Sequence, residues 1–416
     1  MPASMPKPRW RPFTRLAWAN LLAQSAEQIS LAAVPMIAVL ALGAGPAQTG
    51  LLAAAQTLPF LLLSMPAGIL ADRYSRMRLI VAAEALRALA LFALVLLALL
   101  GQLSIAMLAV IGFLGACGTV AFSVAGPALL PAIVPPEALA TANGRMELAR
   151  SAAFAAGPAL AGALVAWAGA SSAFVLATVL SVLALLLLLR PIRVPPRTPA
   201  ARRHVLRELQ EGAAFVAGHT LLRPIALATI AWNLAWFALQ AIYVPYGVGV
   251  LGLGTEGLGS TLAAFGIGLL AGAVLAPRLF RLLPLGVAML LGSLLSMLAA
   301  LLMLATLWLP YGALAGIAFF VLGAGPPLWT VAQITLRQRV TPEGLLGRVS
   351  ALFMTAGAGA RPIGAALGGL IGEGLGLRAA IAMSALGFVL QFVMVLASPL
   401  PALERLPPPP GDADTV

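Results

Sequence analysis

Apolar residues are gathered into twelve long runs, at 13–42, 47–71, 78–100, 104–130, 144–168 and 172–190, and then at 222–250, 257–277, 285–308, 311–336, 346–371 and 376–398. Each is close to or longer than the roughly 20 residues a helix needs to cross a hydrocarbon core of about 30 Å. Short clusters rich in Gly, Pro and Arg separate most of them, and one polar interval at 191–221 divides them six and six. The pattern predicts an all-α integral membrane protein with 12 transmembrane helices in two six-helix bundles, 13–190 and 222–398. An N-terminal tail (1–12), a linker (191–221) and a disordered C-terminal tail (399–416) complete the expected organisation. The first run is too long for a signal-peptide core, and Glu27 and Gln28 fall inside it, so it is expected to remain as a span.

Composition agrees with the pattern. Of 416 residues, 61% are hydrophobic and 9% charged, with a mean hydropathy of +1.02, far outside the range of soluble domains. The net charge of +12 would raise the question of nucleic acid, but the arginines sit in the connections between spans and no basic patch forms. Lys7, Arg9, Arg11 and Arg15 precede the first run, and Arg73, Arg76 and Arg78 follow the second. In all, 22 of the 25 basic residues lie on one face of the expected topology. Positively charged short loops stay in the cytoplasm, so a multi-pass protein of the cell inner membrane is expected, with both termini cytoplasmic. Within the linker, Val205, Leu206, Leu209 and Phe215 alternate at helical spacing with Arg202, Arg203, Arg207 and Glu211, which predicts a basic amphipathic helix on the inner leaflet.

The single cysteine, Cys117, and the two histidines, both in the polar interval, form no metal-ligand spacing, and no phosphate-binding Gly-rich loop with Lys is present. No metal, no cofactor and no enzymatic activity are expected. The halves echo each other: Arg73-x-x-Arg76 and Arg278-x-x-Arg281 are offset by 205, and Pro136-Glu137 and Pro342-Glu343 by 206, as are Gly162 and Gly368. Duplicated six-span units are a transporter signature.

The connection after the second span reads Gly68-Ile-Leu-Ala-Asp72-Arg73-Tyr-Ser-Arg76-Met-Arg78. It resembles the loop signature of the major facilitator superfamily, at the place where that family carries it. The fifth span, Gly144-x8-Ala153-x3-Gly157-Pro158-x2-Ala161-Gly162, is similar to the exporter-associated pattern of the same superfamily. Arg339 to Arg348 with Pro362 to Gly369, and Leu130 to Pro136, resemble its enterobactin-exporter-like, drug-efflux branch. The resemblance implies two pseudo-symmetric bundles that rock about a midplane site, with helices one, four, seven and ten lining the pathway and three, six, nine and twelve facing lipid. It also implies that Gly68, Asp72, Arg73 and Arg76 form a conformational latch, and that Gly144, Gly157, Pro158 and Gly162 pack the halves together.

Polar residues inside spans are expensive in hydrocarbon and mark cavities. Asn20, Gln24, Glu27 and Gln28 share one face of span one; Trp232, Trp236, Gln240 and Tyr243 share one of span seven, with Asn233 beside them; span ten offers Trp329 and Gln333, and span four the weaker set Thr119, Phe122 and Ser123. Glu27, near mid-span, is the proton-coupling candidate. Arg361 in span eleven is expected either to hold an anionic substrate group or to neutralise Glu27, and Glu84 and Arg87 to form a local pair near the inner interface. The expected activity is proton-coupled antiport, with efflux of a small drug- or siderophore-like amphipathic molecule. Uptake or lysolipid flipping by the same fold, and a non-transporting receptor or scaffold, are the alternatives. The expected partners are the small-molecule substrate, protons and the lipid bilayer, with no nucleic acid, and the chain is expected to act as a monomer.

Overall fold

A computed structural model of the chain describes residues 10–134, 139–190, 205–404 and 407. The described residues are helical apart from short connections. The first six helices are α1 (Trp10–Leu40), α2 (Pro46–Arg73), α3 (Arg76–Leu99), α4 (Ile105–Ile133), α5 (Leu139–Ala168) and α6 (Ala170–Leu189). A shorter helix, α7 (Val205–Gly218), leads into α8 (Leu222–Gly249), α9 (Thr255–Leu282), α10 (Leu285–Ala305), α11 (Gly312–Val340), α12 (Glu343–Gly374) and α13 (Leu377–Leu396). Spans one to six are thus α1–α6, and spans seven to twelve are α8–α13.

Eleven of these helices are long and apolar enough to cross a membrane. The expected twelfth, α12, has the length, 32 residues, but not the apolarity: Arg348, Arg361 and nine glycines dilute it. It is held by packing instead, between α2 on one side and α8 on the other.

Helices α1–α6 pack mainly on one another, as do α8–α13, and the two sets meet chiefly through α2 against α12 and α5 against α9. The apolar stripes left over are exposed on α3 (Leu89, Phe92, Leu96), α6 (Val179, Leu183, Leu186), α10 (Leu298, Leu301) and α13 (Leu386, Leu390, Val393).

The turns explain how the ends are built. At the end of the bundle distal to the termini, five turns each contain a glycine with positive φ: Gly43, Gly101, Gly169, Gly252 and Gly376. Only glycine enters that region without a steric cost, so tight reversals between spans are set there. Gly43 and Gly252 follow the first helix of each half, and Gly169 and Gly376 the fifth, which extends the internal repeat to backbone geometry.

The distribution of the core decides which end is closed. One apolar cluster takes residues from both halves, among them Ile29, Met36 and Phe174 with Trp236, Phe265 and Phe319. At the end near the termini the core splits: one cluster, around Phe13, Ile80 and Leu129, belongs to the first half, and another, around Leu222, Met289 and Phe353, to the second. Glycine contacts follow suit. A Cβ on Gly50 would lie 2.5 Å from the Gly369 Cα, and one on Gly162 2.5 Å from the Thr255 carbonyl oxygen. Glu256 accepts a 2.7 Å hydrogen bond from Trp167 Nε1 across the same seam.

Two expectations are corrected. The described side chains of the linker helix α7 pack on protein, where contact with the inner leaflet was expected: Phe215 and Val216 join the second-half cluster, Glu211 pairs with Arg348 of α12 at 2.6 Å, and a Cβ on Gly212 would sit 2.8 Å from the Arg348 carbonyl oxygen. Arg202 and Arg203, and the side chains of residues 205–209, lie outside the described residues. The tail expected to be disordered from 399 begins as a 3-10 turn, Leu400–Ala402, with Leu400 buried and the Leu403 carbonyl accepting from the Gly286 amide at 3.0 Å; most residues beyond 404 lie outside the description.

Between α7 and α8, His219 Nδ1 accepts from the Leu221 amide at 3.1 Å and from the Leu222 amide at 3.4 Å. That contact needs the neutral imidazole, and burial holds the group below its usual value of 6.5. A depressed folded value means the stabilisation is present above about 6.5 and declines as pH falls through it. The protection factors of the Leu221 and Leu222 amides, exchange rates corrected for the intrinsic pH dependence, are therefore expected to fall below about pH 6.5, and those of H219A to be low at every pH. A pH-independent wild-type profile would rule the cap out.

Candidate functional site

A cavity of about 330 Å³ lies between the halves, within the size range of small-molecule sites. Its first-half wall comes from α1 (Gln24, Glu27, Gln28, Ser30), α2 (Gln56, Thr57, Phe60), α3 (Arg87), α4 (Thr119, Phe122, Ser123) and α5 (Arg150, Phe154). The second half contributes Trp236, Phe237 and Gln240 of α8 and Arg361 of α12.

Glu27, Gln24 and Gln28 line this space because residues at i, i+3 and i+4 share a helix face. The Glu27 carboxylate lies 3.6 Å from the Arg87 guanidinium, and its Oε2 is buried without a hydrogen-bond partner. Arg87 is committed elsewhere: Nη1 donates to Glu84 at 2.8 Å and to the Ala23 carbonyl at 3.4 Å, and Nη2 donates to Thr119 at 3.1 Å. Glu84 is 0% exposed and also accepts from Ser181 Oγ of α6. The charged cluster therefore ties α1, α3, α4 and α6 together. This corrects two expectations. Glu84 and Arg87 do form the expected i, i+3 pair, but it is buried and reaches the cavity instead of lying near the inner interface; and the cation within 4 Å of Glu27 is Arg87, where Arg361 was one expected neutraliser.

Arg361 has no ion pair among the described residues. Its guanidinium stands over the rings of Phe60, 5.0 Å away, and Phe237, 5.4 Å away, and its Nε is buried without a partner. Arg150 pairs with Glu147 at 2.9 Å and stands 5.4 Å over the Phe154 ring.

The aromatic wall is layered. Trp236 stacks on Phe265 at 4.4 Å and on Trp232 at 5.9 Å. Trp232 itself points away from the cavity, donating to Ser296 of α10 at 3.2 Å. Tyr243 is buried with its hydroxyl on Thr261 at 2.6 Å, Asn233 donates to the Thr229 carbonyl of its own helix at 2.9 Å, and Asn20 donates to the Met146 carbonyl at 3.4 Å. Of the residues expected to line the cavity, Gln24, Gln28, Trp236, Gln240 and Arg361 do so; Asn20, Trp232, Asn233, Tyr243, Trp329 and Gln333 do not. Span ten drops out because α11 packs into α9 and α10: a Cβ on Gly325 would lie 2.5 Å from the Gly292 carbonyl, and Trp329 packs against the second-half cluster near the termini. The residues of α2 were legible by the rule applied to span one, since Gln56, Thr57 and Phe60 recur on one side of an otherwise apolar run.

In the fifth-span motif, Gly162 meets Gly259 across the halves, and a Cβ on Gly259 would lie 2.6 Å from the Pro158 carbonyl. Gly157 meets Gln28 of its own half, and a Cβ on Gly144 would meet nothing within 4 Å. The backbone of Gly68, Asp72 and Arg73 belongs to α2 and Arg76 opens α3; the side chains of Asp72 and Arg73 lie outside the description.

A family model described as Major Facilitator Superfamily matches residues 16–365. The chain belongs to this superfamily. Among its relatives, the enterobactin exporter EntS of Citrobacter koseri is 29% identical over 355 residues, 84% of this chain and 83% of that one. The multidrug efflux pump Tap of Mycobacterium bovis is 26% identical over 412 residues, 94% of each. An MFS-type transporter of Sinorhizobium fredii, y4rN, is 30% identical over 264 residues, 60% of this chain and 63% of that one. The fold matches a bacterial homologue of the iron transporter ferroportin in an inward-facing state, with a TM-score of 0.72 at 19% identity, covering 94% of this chain and 99% of that one. This major facilitator protein is thus a multi-pass membrane transporter, and two of its relatives are named as an exporter and an efflux pump.

Proposed function

We propose that this chain exports a small amphipathic molecule from the cytoplasm in exchange for protons, as a monomer in the cell inner membrane with both termini cytoplasmic. The reading rests on one observation: a cavity between the halves, sealed at the distal end, contains a carboxylate, Glu27, whose nearest cation is already engaged by Glu84. A carboxylate so placed exchanges a proton with whichever side the cavity faces. With cytoplasmic termini, the conformation described here opens inward. Substrate enters with Glu27 ionised; aromatic faces (Phe60, Trp236, Phe237) cover its apolar part, while Gln24, Gln28 and Gln240 and the Arg361 guanidinium supply hydrogen bonds to its polar part. The halves rock, the distal seam parts, and protonation of Glu27 from outside favours release and return. Proton loss to the cytoplasm restores affinity. The latch residues Gly68, Asp72, Arg73 and Arg76 would close the opposite end when the distal end is open.

The test uses proteoliposomes and a compound panel that spans neutral, cationic and anionic amphipaths, with and without a pH gradient. For whichever compound is carried, E27Q is expected to cut gradient-driven transport at least about tenfold, the loss of one coupling step worth ~1.4 kcal/mol or more, while leaving gradient-independent exchange in place. Undiminished gradient-driven efflux by E27Q would sink the assignment.

A further inference from the structure

The charged cluster holds more than a proton site. Two carboxylates, Glu27 and Glu84, face one guanidinium, Arg87, and they are not equivalent. Glu84 is fully buried, takes the short 2.8 Å contact and is also held by Ser181; Glu27 stands at 3.6 Å, borders the cavity and keeps an oxygen without a donor. With both carboxylates ionised the trio carries one negative charge, and with a single proton bound it is neutral. Charge that is desolvated must be compensated, so the buried trio favours the neutral state.

From this geometry we infer that Glu84 is a positioning residue for proton coupling: by occupying Arg87 it leaves Glu27 as the one uncompensated carboxylate and sets the uptake at one proton per cycle. The proton comes from water in the cavity and goes to a Glu27 carboxylate oxygen; the trio passes from one negative charge to none, and the reverse step returns the proton to water on the other side.

The other charged groups around Glu27 fit this assignment. Thr119 of α4 accepts a hydrogen bond from Arg87, and Ser181 of α6 donates one to Glu84. Arg150 of α5 is compensated by Glu147. Arg361 of α12 is the remaining cation among the described residues of the cavity wall; it stands over the Phe60 and Phe237 rings with no carboxylate within 4 Å, and it acts on Glu27 only at longer range than Arg87 does.

The inference rests on the proton-exchange reading above, but its test needs neither substrate nor gradient. Infrared spectroscopy on the purified, glutamate-labelled full chain reads the protonated-carboxyl band as pH is changed. Wild type is expected to show one titrating band that E27Q removes. In E84Q, Arg87 becomes free to compensate Glu27, and the band at the wild-type midpoint pH is expected to fall about fivefold, the effect of an opposite charge moving within ~4 Å. E84D keeps the charge but shortens the arm; it should retain one proton per chain with a smaller loss of band, and it serves if E84Q does not fold. A purely structural Glu84 would leave the Glu27 band unchanged in both variants, and that result overturns the inference even if E27Q uncouples transport. Conversely, coupled efflux by E27Q with the band shifted as expected in E84Q overturns the transport reading and leaves the charge assignment standing.

Discussion

Replacing Gly259 by leucine is expected to abolish transport to within about a tenth of the wild-type rate and to open the cavity to the distal side. The seam between α5 and α9 is made by backbone against backbone: even a Cβ at 259 would lie 2.6 Å from the Pro158 carbonyl oxygen and 3.0 Å from the Gly162 Cα. Neither atom belongs to a side chain that can swing aside, so the helices must separate. Overpacking of a tight core costs roughly 1–3 kcal/mol, and here the cost falls only on the conformation closed at that end. Cysteine placed at Ser30, on the cavity wall, in a Cys117-free background, is expected to react with a membrane-impermeant maleimide from the distal face much faster in G259L than in its parent, which opens on that side during only part of its cycle. G144L is the matched control, since a Cβ at 144 meets nothing within 4 Å. If G259L transports normally, or Ser30→Cys stays protected, the seam is not the distal gate.

The second large effect concerns Arg87. Substitution by glutamine leaves Glu84, fully buried, with only Ser181 and no cation, and breaking a buried ion pair from one side costs about 3–5 kcal/mol. R87Q is therefore expected to unfold in detergent at a markedly lower temperature than wild type. The double variant E84Q/R87Q, which removes the stranded charge, is expected to recover most of the loss. This cycle separates charge from packing, because R87Q and the double variant lose the same arginine volume and differ only in the near-isosteric neutralisation of Glu84. Equal destabilisation of R87Q and the double variant would mean that packing of the arginine stem, and not its charge, holds α1, α3, α4 and α6 together.

The spans, their order and the face of α1 that carries Gln24, Glu27 and Gln28 were readable along the chain because they are local: an apolar run either spans or does not, and residues three and four apart share a side. What could not be read was which helix stands opposite. Glu84 and Arg87 are neighbours at i and i+3, which suggests a self-contained pair, yet Arg87 spans the gap to Glu27 and Thr119 because α4 packs on α3 and the cavity face of α1 comes within reach of the arginine there. Trp329 and Gln333 carry the same polar signature as the span-one face, but the glycines at 292 and 325 draw α11 against α10 and turn both away from the cavity. Span three looked like an outer helix and is one along Leu89, Phe92 and Leu96, while its other side supplies the cation of the site.

The composition of α12 also bears on how the chain is made. An arginine at mid-helix adds about 2.5–3.5 kcal/mol to insertion, and Arg361 occupies such a place in a helix already thinned by nine glycines. The same glycines, at 364 and 368, let it lie directly on α8, and Gly369 lets it lie on α2. Both of those helices leave the ribosome earlier. During biogenesis α12 is thus best understood as a guest, retained in the bilayer by hosts synthesised before it rather than by its own affinity for lipid, so that errors in assembling α2 or α8 would surface as a failure to integrate the penultimate helix.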